Sequence, residues 1–340
     1  MERYSRQILF SGIGEAGQRR LLESRVTLVG CGALGCALAE MLARAGVGSI
    51  KLVDRDFIEW SNLNRQVLFT EADAEARLPK AVAAQNRLRA INSGIDVTAV
   101  VTDVNVDTVE ALVAGADLVL DGTDNFEVRY LLNDACVKAG IPWVYGAAVG
   151  AYGMTMTVVP GETPCLRCVF EEMPPVGTAA TCDTAGIILP IIQTVTAAQI
   201  SEALKLLTDQ KEKLRGTLLH IDLWDNSYRN VKLSAGSRNP ECPCCGQRRF
   251  EFLEAAHEAL ALSLCGRNSV QIRPAKAVPL DFAELEARLV RIGQVKANDY
   301  LLVFRADDHE LTLFRDGRAI VKGTSDPTAA RGFYAKYVGA

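Results

Sequence analysis

Apolar and polar positions along the chain alternate between two periods. Short apolar runs at 26–29, 50–53, 96–101, 117–121 and 142–146 read as buried strands. Between them lie stretches with apolar residues at helical spacing, over 33–46, 79–92, 106–114 and 126–139. A polar segment, 54–77, separates the second strand from its helix. Strands alternating with helices predict a mostly parallel sheet covered on both faces, with ligands outside the carboxyl ends of the strands. The pattern changes after residue 151. MTMTVVP predicts a strand of a second, antiparallel layer, 161–186 a long loop, 187–207 a helix apolar nearly all round, and 217–223 with 228–233 a hairpin. Residues 249–340 read as a separate small α+β domain after an N-terminal domain of 1–248. It has a strand at 270–272, a helix at 281–292, a strand at 299–305, a hairpin about Asp316-Gly317 and a final helix at 327–337.

The first strand runs into Gly30, Gly32 and Gly35, a G-x-G-x-x-G turn opening a helix. Such a turn needs glycine so that the chain can bend and backbone N–H groups can approach phosphate oxygens. Asp54 ends the second strand, where a dinucleotide fold places a ribose-binding carboxylate. The fold class is therefore α/β: a Rossmann-like, mostly parallel sheet, a second antiparallel layer and a small C-terminal α+β domain.

Composition narrows the classes. The chain has 340 residues, of which 49% are hydrophobic and 23% charged, and a net charge of −4, so nothing favours nucleic acid or an anionic membrane as a partner. The N-terminus lacks an apolar signal region and no stretch has transmembrane length, which makes the cytoplasm the expected location. Ten cysteines change the picture more. Cys165-x-x-Cys168 and Cys242-x-x-Cys245 form two pairs suited to a closed, structural zinc site, with Cys244 an alternative ligand inside the second pair. Cys31, Cys36, Cys136 and Cys265 sit among apolar residues and read as core.

Polar residues gather beside the glycine turn in sequence. Asp56, Asn62, Arg65, Gln66 and Lys80 follow Asp54, and Asp124 follows the fourth strand. Arg65 and Lys80 would supply fixed positive charge to a phosphate chain, and Asp124 a carboxylate for Mg²⁺. Taken singly, these residues also fit a polar turn and a surface lysine. Cys182 lies in the polar loop, apart from both metal pairs, and position alone does not separate a nucleophile from a spare thiol.

The ordered set RYSRQ, GCGALG, DRDFIEWSNLNRQ, LPK and DGTDN resembles the ThiF/MoeB family, relatives of ubiquitin-activating enzymes, over residues 1–248. The resemblance implies an ATP- and Mg²⁺-dependent nucleotidyltransferase. Its substrate would be the Gly-Gly carboxylate of a ubiquitin-like sulfur carrier, ThiS-like and serving thiamine thiazole formation. It implies Gly32 against the phosphates, Asp54 on the ribose, Asn62, Arg65, Gln66 and Lys80 on the triphosphate, and Asp124 on the metal. It also implies a homodimer with Arg6 reaching into the partner's site, carrier attachment at Cys182, and a cysteine desulfurase or other sulfur donor. The C-terminal extension resembles that of some ThiF proteins. Molybdopterin-synthase activation of the MoeB type, or activation of another ubiquitin-like protein, is the neighbouring alternative. An NAD-dependent oxidoreductase is the alternative of another class; against it stand Arg65, Lys80 and the position of all three histidines, His220, His257 and His309, outside the nucleotide half.

Overall fold

The computed structural model describes residues 1–339 apart from 175–181, 234–237, 255–260, 265–267, 273 and 275–279, and apart from the side chains of 182–183 and 261–264. Two compact units divide the chain, Met1–Ala255 and Ala256–Ala340.

In the first unit eight strands form one sheet: β1 (Arg25–Val29), β2 (Ser49–Asp54), β3 (Asp96–Val101), β4 (Leu118–Asp121), β5 (Trp143–Val149), β6 (Tyr152–Val158), β7 (Thr217–Asp222) and β8 (Ser227–Lys232). Their order is β3-β2-β1-β4-β5-β6-β7-β8. The first five are parallel, with Val26 opposite Ile50 on one side and Leu118 on the other. Alternation along each strand splits the apolar residues between two cores. Leu28, Leu118 and Leu120 face the helices Ala33–Ala45, Lys80–Ile91 and Leu189–Leu207. Val29 and Val119 face the helix Phe126–Ala139 on the opposite side.

The antiparallel strands expected after residue 151 are present, and they continue the parallel sheet through β5. Residues of β6 and β7 join the cores on the two faces, whereas β8 is mostly exposed. The helix Leu189–Leu207 buries Ile191, Ile192, Val195, Ile200 and Leu207, while Gln193, Ala197 and Ser201 form an outward stripe. Its start at Leu189 follows Gly186, whose φ of 72° lets the chain turn out of the preceding loop. Phe250 is buried in the core beside the helix Phe126–Ala139, and Phe252 packs on Tyr130 at 4.9 Å between ring centres. The segment just after residue 248 thus belongs to the first unit's core.

The second unit is an antiparallel sheet of β9 (Ala261–Leu264), β10 (Ser269–Ile272), β11 (Gln294–Ala297), β12 (Leu301–Ala306), β13 (His309–Phe314) and β14 (Ala319–Lys322), in the order β11-β12-β13-β14-β10-β9. The helices Phe282–Leu289 and Pro327–Tyr337 cover one face, over Leu302, Phe304, Leu311, Leu313 and Val321. Asp281 and Asp326 cap these helices by accepting from the N–H groups of Ala283 and Thr328. The hairpin at Asp316-Gly317 forms as the sequence predicts, with Gly317 at φ 85°. Strands β9 and β11 are additional to the sequence reading.

Candidate nucleotide site and cysteine cluster

Three glycines bring two loops into backbone contact. Gly30 leaves β1 at φ 87°, and a Cβ there would lie 2.7 Å from the Gly122 carbonyl oxygen. A Cβ on Gly35 would overlap the Gly30 carbonyl, and one on Gly122 would come within 2.8 Å of the Gly35 Cα. Gly32 differs. A Cβ there meets nothing nearer than 4.0 Å, and the helix Ala33–Ala45 begins after it with no side-chain cap. The turn therefore leaves an open approach to unfilled N–H groups at the positive end of a helix, which suits an anionic phosphate.

Asp54 fixes this turn from β2. One carboxylate oxygen accepts from the Cys31 N–H at 2.6 Å and the other from the Asp56 N–H at 2.7 Å. Burial raises its pKa, and the cation of Lys80 opposes that rise. Lys80 is itself buried at the start of the helix Lys80–Ile91, with its ammonium 3.1 Å from Asp56. Its N–H donates to the Asp56 carbonyl at 2.9 Å, and Phe57 bridges to Pro79 beside it. Lys80, Asp54, Asp56 and the glycine turn thus form one connected cluster. Burial pushes the Cys31 thiol well up and that of Cys36 to about 12, so both are inert packing groups.

In the polar segment Asn62 is buried and its side-chain oxygen accepts from the Glu59 N–H at 3.0 Å, closing a helical turn. Arg65 donates to the Ser61 carbonyl at 2.6 Å and to Asn64 at 3.0 Å. Both side chains thus help to build the turn they sit on. Gln66 is buried, and its side-chain oxygen has no hydrogen-bond partner among the described residues.

The loop after β4 is held by residues absent from the sequence reading. Asp121 is fully buried and pairs with Arg129 at 3.2 Å. Its other oxygen accepts from the Thr123 N–H at 2.8 Å and hydroxyl at 2.7 Å. Burial raises the Asp121 pKa, and Arg129 with the Thr123 hydrogen bonds opposes the rise. Arg129 also donates to the carbonyls of Thr123 and Gly146, and Gln199 donates to the Asp121 carbonyl at 3.0 Å. The available signal was one arginine among the apolar residues of the helix Phe126–Ala139. This network sets Gly122 against Gly30 and places Asp124, exposed, one residue before the helix cap Asn125.

Arg6 lies elsewhere in its own chain. It is exposed on the helix Ser5–Leu9, whose Gln7 donates to the Ala45 carbonyl at 2.9 Å. Ala45 ends the 13-residue helix that begins at the glycine turn, so Arg6 is anchored about 20 Å from that turn. Cys182 opens a short helix, Cys182–Ala185, and its side chain lies outside the described residues. Cys265 is outside them as well.

Cys165, Cys168, Cys242 and Cys245 place their sulfurs within 4.8 Å of one another. Individual S···S separations are 3.9, 3.6 and 3.3 Å. A tetrahedral zinc with Zn–S bonds of about 2.3 Å sets edges of about 3.8 Å, so the four thiols fit the ion. Cys244 turns instead into the core and accepts from the Asn133 side-chain amide at 3.2 Å. Between the two readings of the second pair, the geometry selects Cys242 and Cys245.

Sheet order, glycine turn and buried lysine define a nucleotide-binding α/β protein. The chain belongs to the ThiF family, whose profile matches residues 4–244. It is 49% identical over 338 residues, 99% of each chain, to the sulfur carrier protein ThiS adenylyltransferase of Bacillus subtilis (strain 168). Over 251 residues it is 39% identical to the molybdopterin-synthase adenylyltransferase of Salmonella typhimurium (strain LT2), covering 73% of this chain and 97% of that one. The crystal structure of E. coli MccB with ATP shares the fold at a TM-score of 0.62 and 25% identity, over 72% of this chain and 74% of that one.

Two predictions test the site. Metal analysis of the purified protein will find one zinc per chain; Cys165→Ser will lose it and Cys244→Ser will retain it. Arg129→Ala leaves Asp121 buried without its cation, and urea unfolding will show a loss of about 3–5 kcal/mol.

Proposed function

We propose that this enzyme joins the C-terminal carboxylate of a ubiquitin-like sulfur carrier to AMP, releasing pyrophosphate. The observation that carries this reading is the cation-flanked glycine turn, an open anion cradle with a lysine fixed beside it. The carrier carboxylate is already ionised and needs no base. It attacks the α-phosphorus of ATP, the bond to the bridging oxygen breaks, and pyrophosphate leaves. The work left to the protein is alignment and neutralisation of phosphoryl charge. On this reading Gly32 and the helix behind it hold the phosphates and Asp54 the ribose. Asn62, Arg65, Gln66 and Lys80 grip the triphosphate. Asp124 would hold Mg²⁺, which offsets phosphate charge when bound. Zinc on the four cysteines is structural.

A ThiS-like carrier serving thiamine thiazole formation is favoured over the molybdopterin-synthase subunit. The similarity to the ThiS adenylyltransferase runs over 99% of both chains, whereas that to the molybdopterin relative covers 73% of this one. Cytoplasmic location and a sulfur donor such as a cysteine desulfurase belong to the same reading. So does a later step in which the Cys182 thiolate displaces AMP from the acyl adenylate to form a thioester.

ATP–pyrophosphate exchange will be stimulated by a ThiS-type carrier ending in Gly-Gly. Stimulation only by the molybdopterin-synthase small subunit would reverse the choice of carrier. Exchange with neither would remove the reading.

Arg6, anchored far from its own glycine turn, is proposed to act in the partner subunit of a homodimer. Arg6→Ala and Asp124→Ala will each be nearly inactive alone. Mixed and allowed to exchange subunits, they will recover about a quarter of wild-type exchange, because random pairing leaves one intact site in four. No recovery would place Arg6 outside the partner's site.

A further inference from the structure

Arg55 follows Asp54 at the carboxyl end of β2, and no role in nucleotide binding has yet been assigned to it. Its guanidinium donates to Asp103 at 2.9 Å and lies 3.8 Å from Asp56. Asp103 is beyond the end of β3, so the pair bridges two strand ends on the ligand-binding edge of the sheet. The arm carrying Asp103 is tied by its own hydrogen bonds. Its carbonyl accepts from the Thr108 hydroxyl at 2.8 Å and from the Asn105 amide at 3.3 Å. Thr108 in turn accepts from the Asn105 N–H at 3.0 Å, and Thr102 N–H donates to the Asp54 carbonyl at 3.2 Å. Both partners are mostly buried, with side-chain exposures of 26% and 12%.

Strand order tells what lies above this pair. A nucleotide with its phosphates on the turn after β1 and its ribose at Asp54, at the end of β2, extends its base onward toward β3. The charge balance says what Arg55 can offer there. Burial works against its cation, and Asp56, Asp103 and Asp54 more than offset that penalty. With three carboxylates already around it, the guanidinium has little net charge to spend on a further anion such as a ribose phosphate. What it presents is a flat, weakly hydrated face whose plane is held by Asp103, and that is the chemistry of a stacking surface for a heteroaromatic ring.

We propose that Arg55, locked by Asp103, is the wall on which the adenine base of ATP stacks, a base-positioning residue of this site. The inference rests on the ATP reading above. It assigns Arg55 a share of nucleotide affinity that the phosphate-binding groups do not supply.

Titration calorimetry of the full chain with ATP and with inorganic triphosphate tests it. Arg55→Ala will weaken ATP about tenfold and leave triphosphate unchanged. Arg55→Lys keeps the charge and the carboxylate partner but not the plane, and will match Arg55→Ala. Three results would overturn the proposal: ATP affinity unchanged in Arg55→Ala, equal loss of both ligands, or wild-type behaviour of Arg55→Lys. A wild-type chain that binds triphosphate but not ATP would remove the ATP reading together with this inference, whereas wild-type ATP binding with an unaffected Arg55→Ala removes the inference alone.

Discussion

Everything at this site depends on a contact with no side chains in it. Gly30, Gly35 and Gly122 bring β1, the following helix and the loop after β4 to backbone distance, and one added methyl at any of them meets main-chain atoms. Main chain cannot step aside as a flexible side chain can, so the contact fixes how closely the turns after β1 and β4 approach. Asp54 then pins the turn by accepting from the Cys31 N–H. Within the same few residues Gly32 is left open, because nothing packs where its side chain would be. Tight contact at three glycines and vacancy at the fourth are two results of one local geometry.

The buried charges follow from that geometry. A carboxylate at the end of a central strand has lost most of its water, and its isolation would cost several kcal/mol. Asp121 is compensated by Arg129, by Thr123 and by the Gly146 N–H, and each bond also fixes a segment of the cleft wall. Arg129 is sandwiched near Phe126 and Tyr145, at 5.3 and 5.4 Å from their ring centres, so its plane is set by aromatic faces as well as by hydrogen bonds. Asp54, Asp56 and Lys80 do the same on the other side of the turn. Ion pairs of this kind add little net stability, and their effect here is to give two loops a single arrangement.

Legibility in the sequence tracks the range of the constraint. The glycine turn, Asp54 and the C-x-x-C pairs are readable because their partners lie close along the chain or repeat a fixed spacing. Gln199 was not readable, since it meets Asp121 across 78 residues and only the fold joins them, and Arg129 showed only as one arginine among apolar residues of its helix. The strands after residue 151 announce themselves by alternation, but a strand's own sequence does not say which edge it joins; here β6 pairs with β5 and lengthens the sheet. Strand β11, with residues QVKA mostly exposed, lacks the apolar alternation that marks a strand and forms by pairing with β12. Cys244 was ambiguous by spacing alone and is settled by the Asn133 amide that holds it in the core.

Along the edge of the sheet the polar groups fall in an order that chemistry can use. From β3 to β4 the sequence is Asp103 with Arg55, then Asp56 with Lys80 and Asp54, then the glycine turn, then Asp121 with Arg129 and the exposed Asp124. Each station other than the glycine turn sets one cation against one or two carboxylates; the open helix end at Gly32 carries positive potential from the backbone alone. A ligand with its negative charge concentrated in the middle and a neutral ring at one end matches that order, and ATP has that distribution. The exposed carboxylate of Asp124 beside a phosphate chain is useful once a divalent cation lies between them. The arrangement of charge along one sheet edge therefore suits a nucleotide with a phosphate chain at its centre.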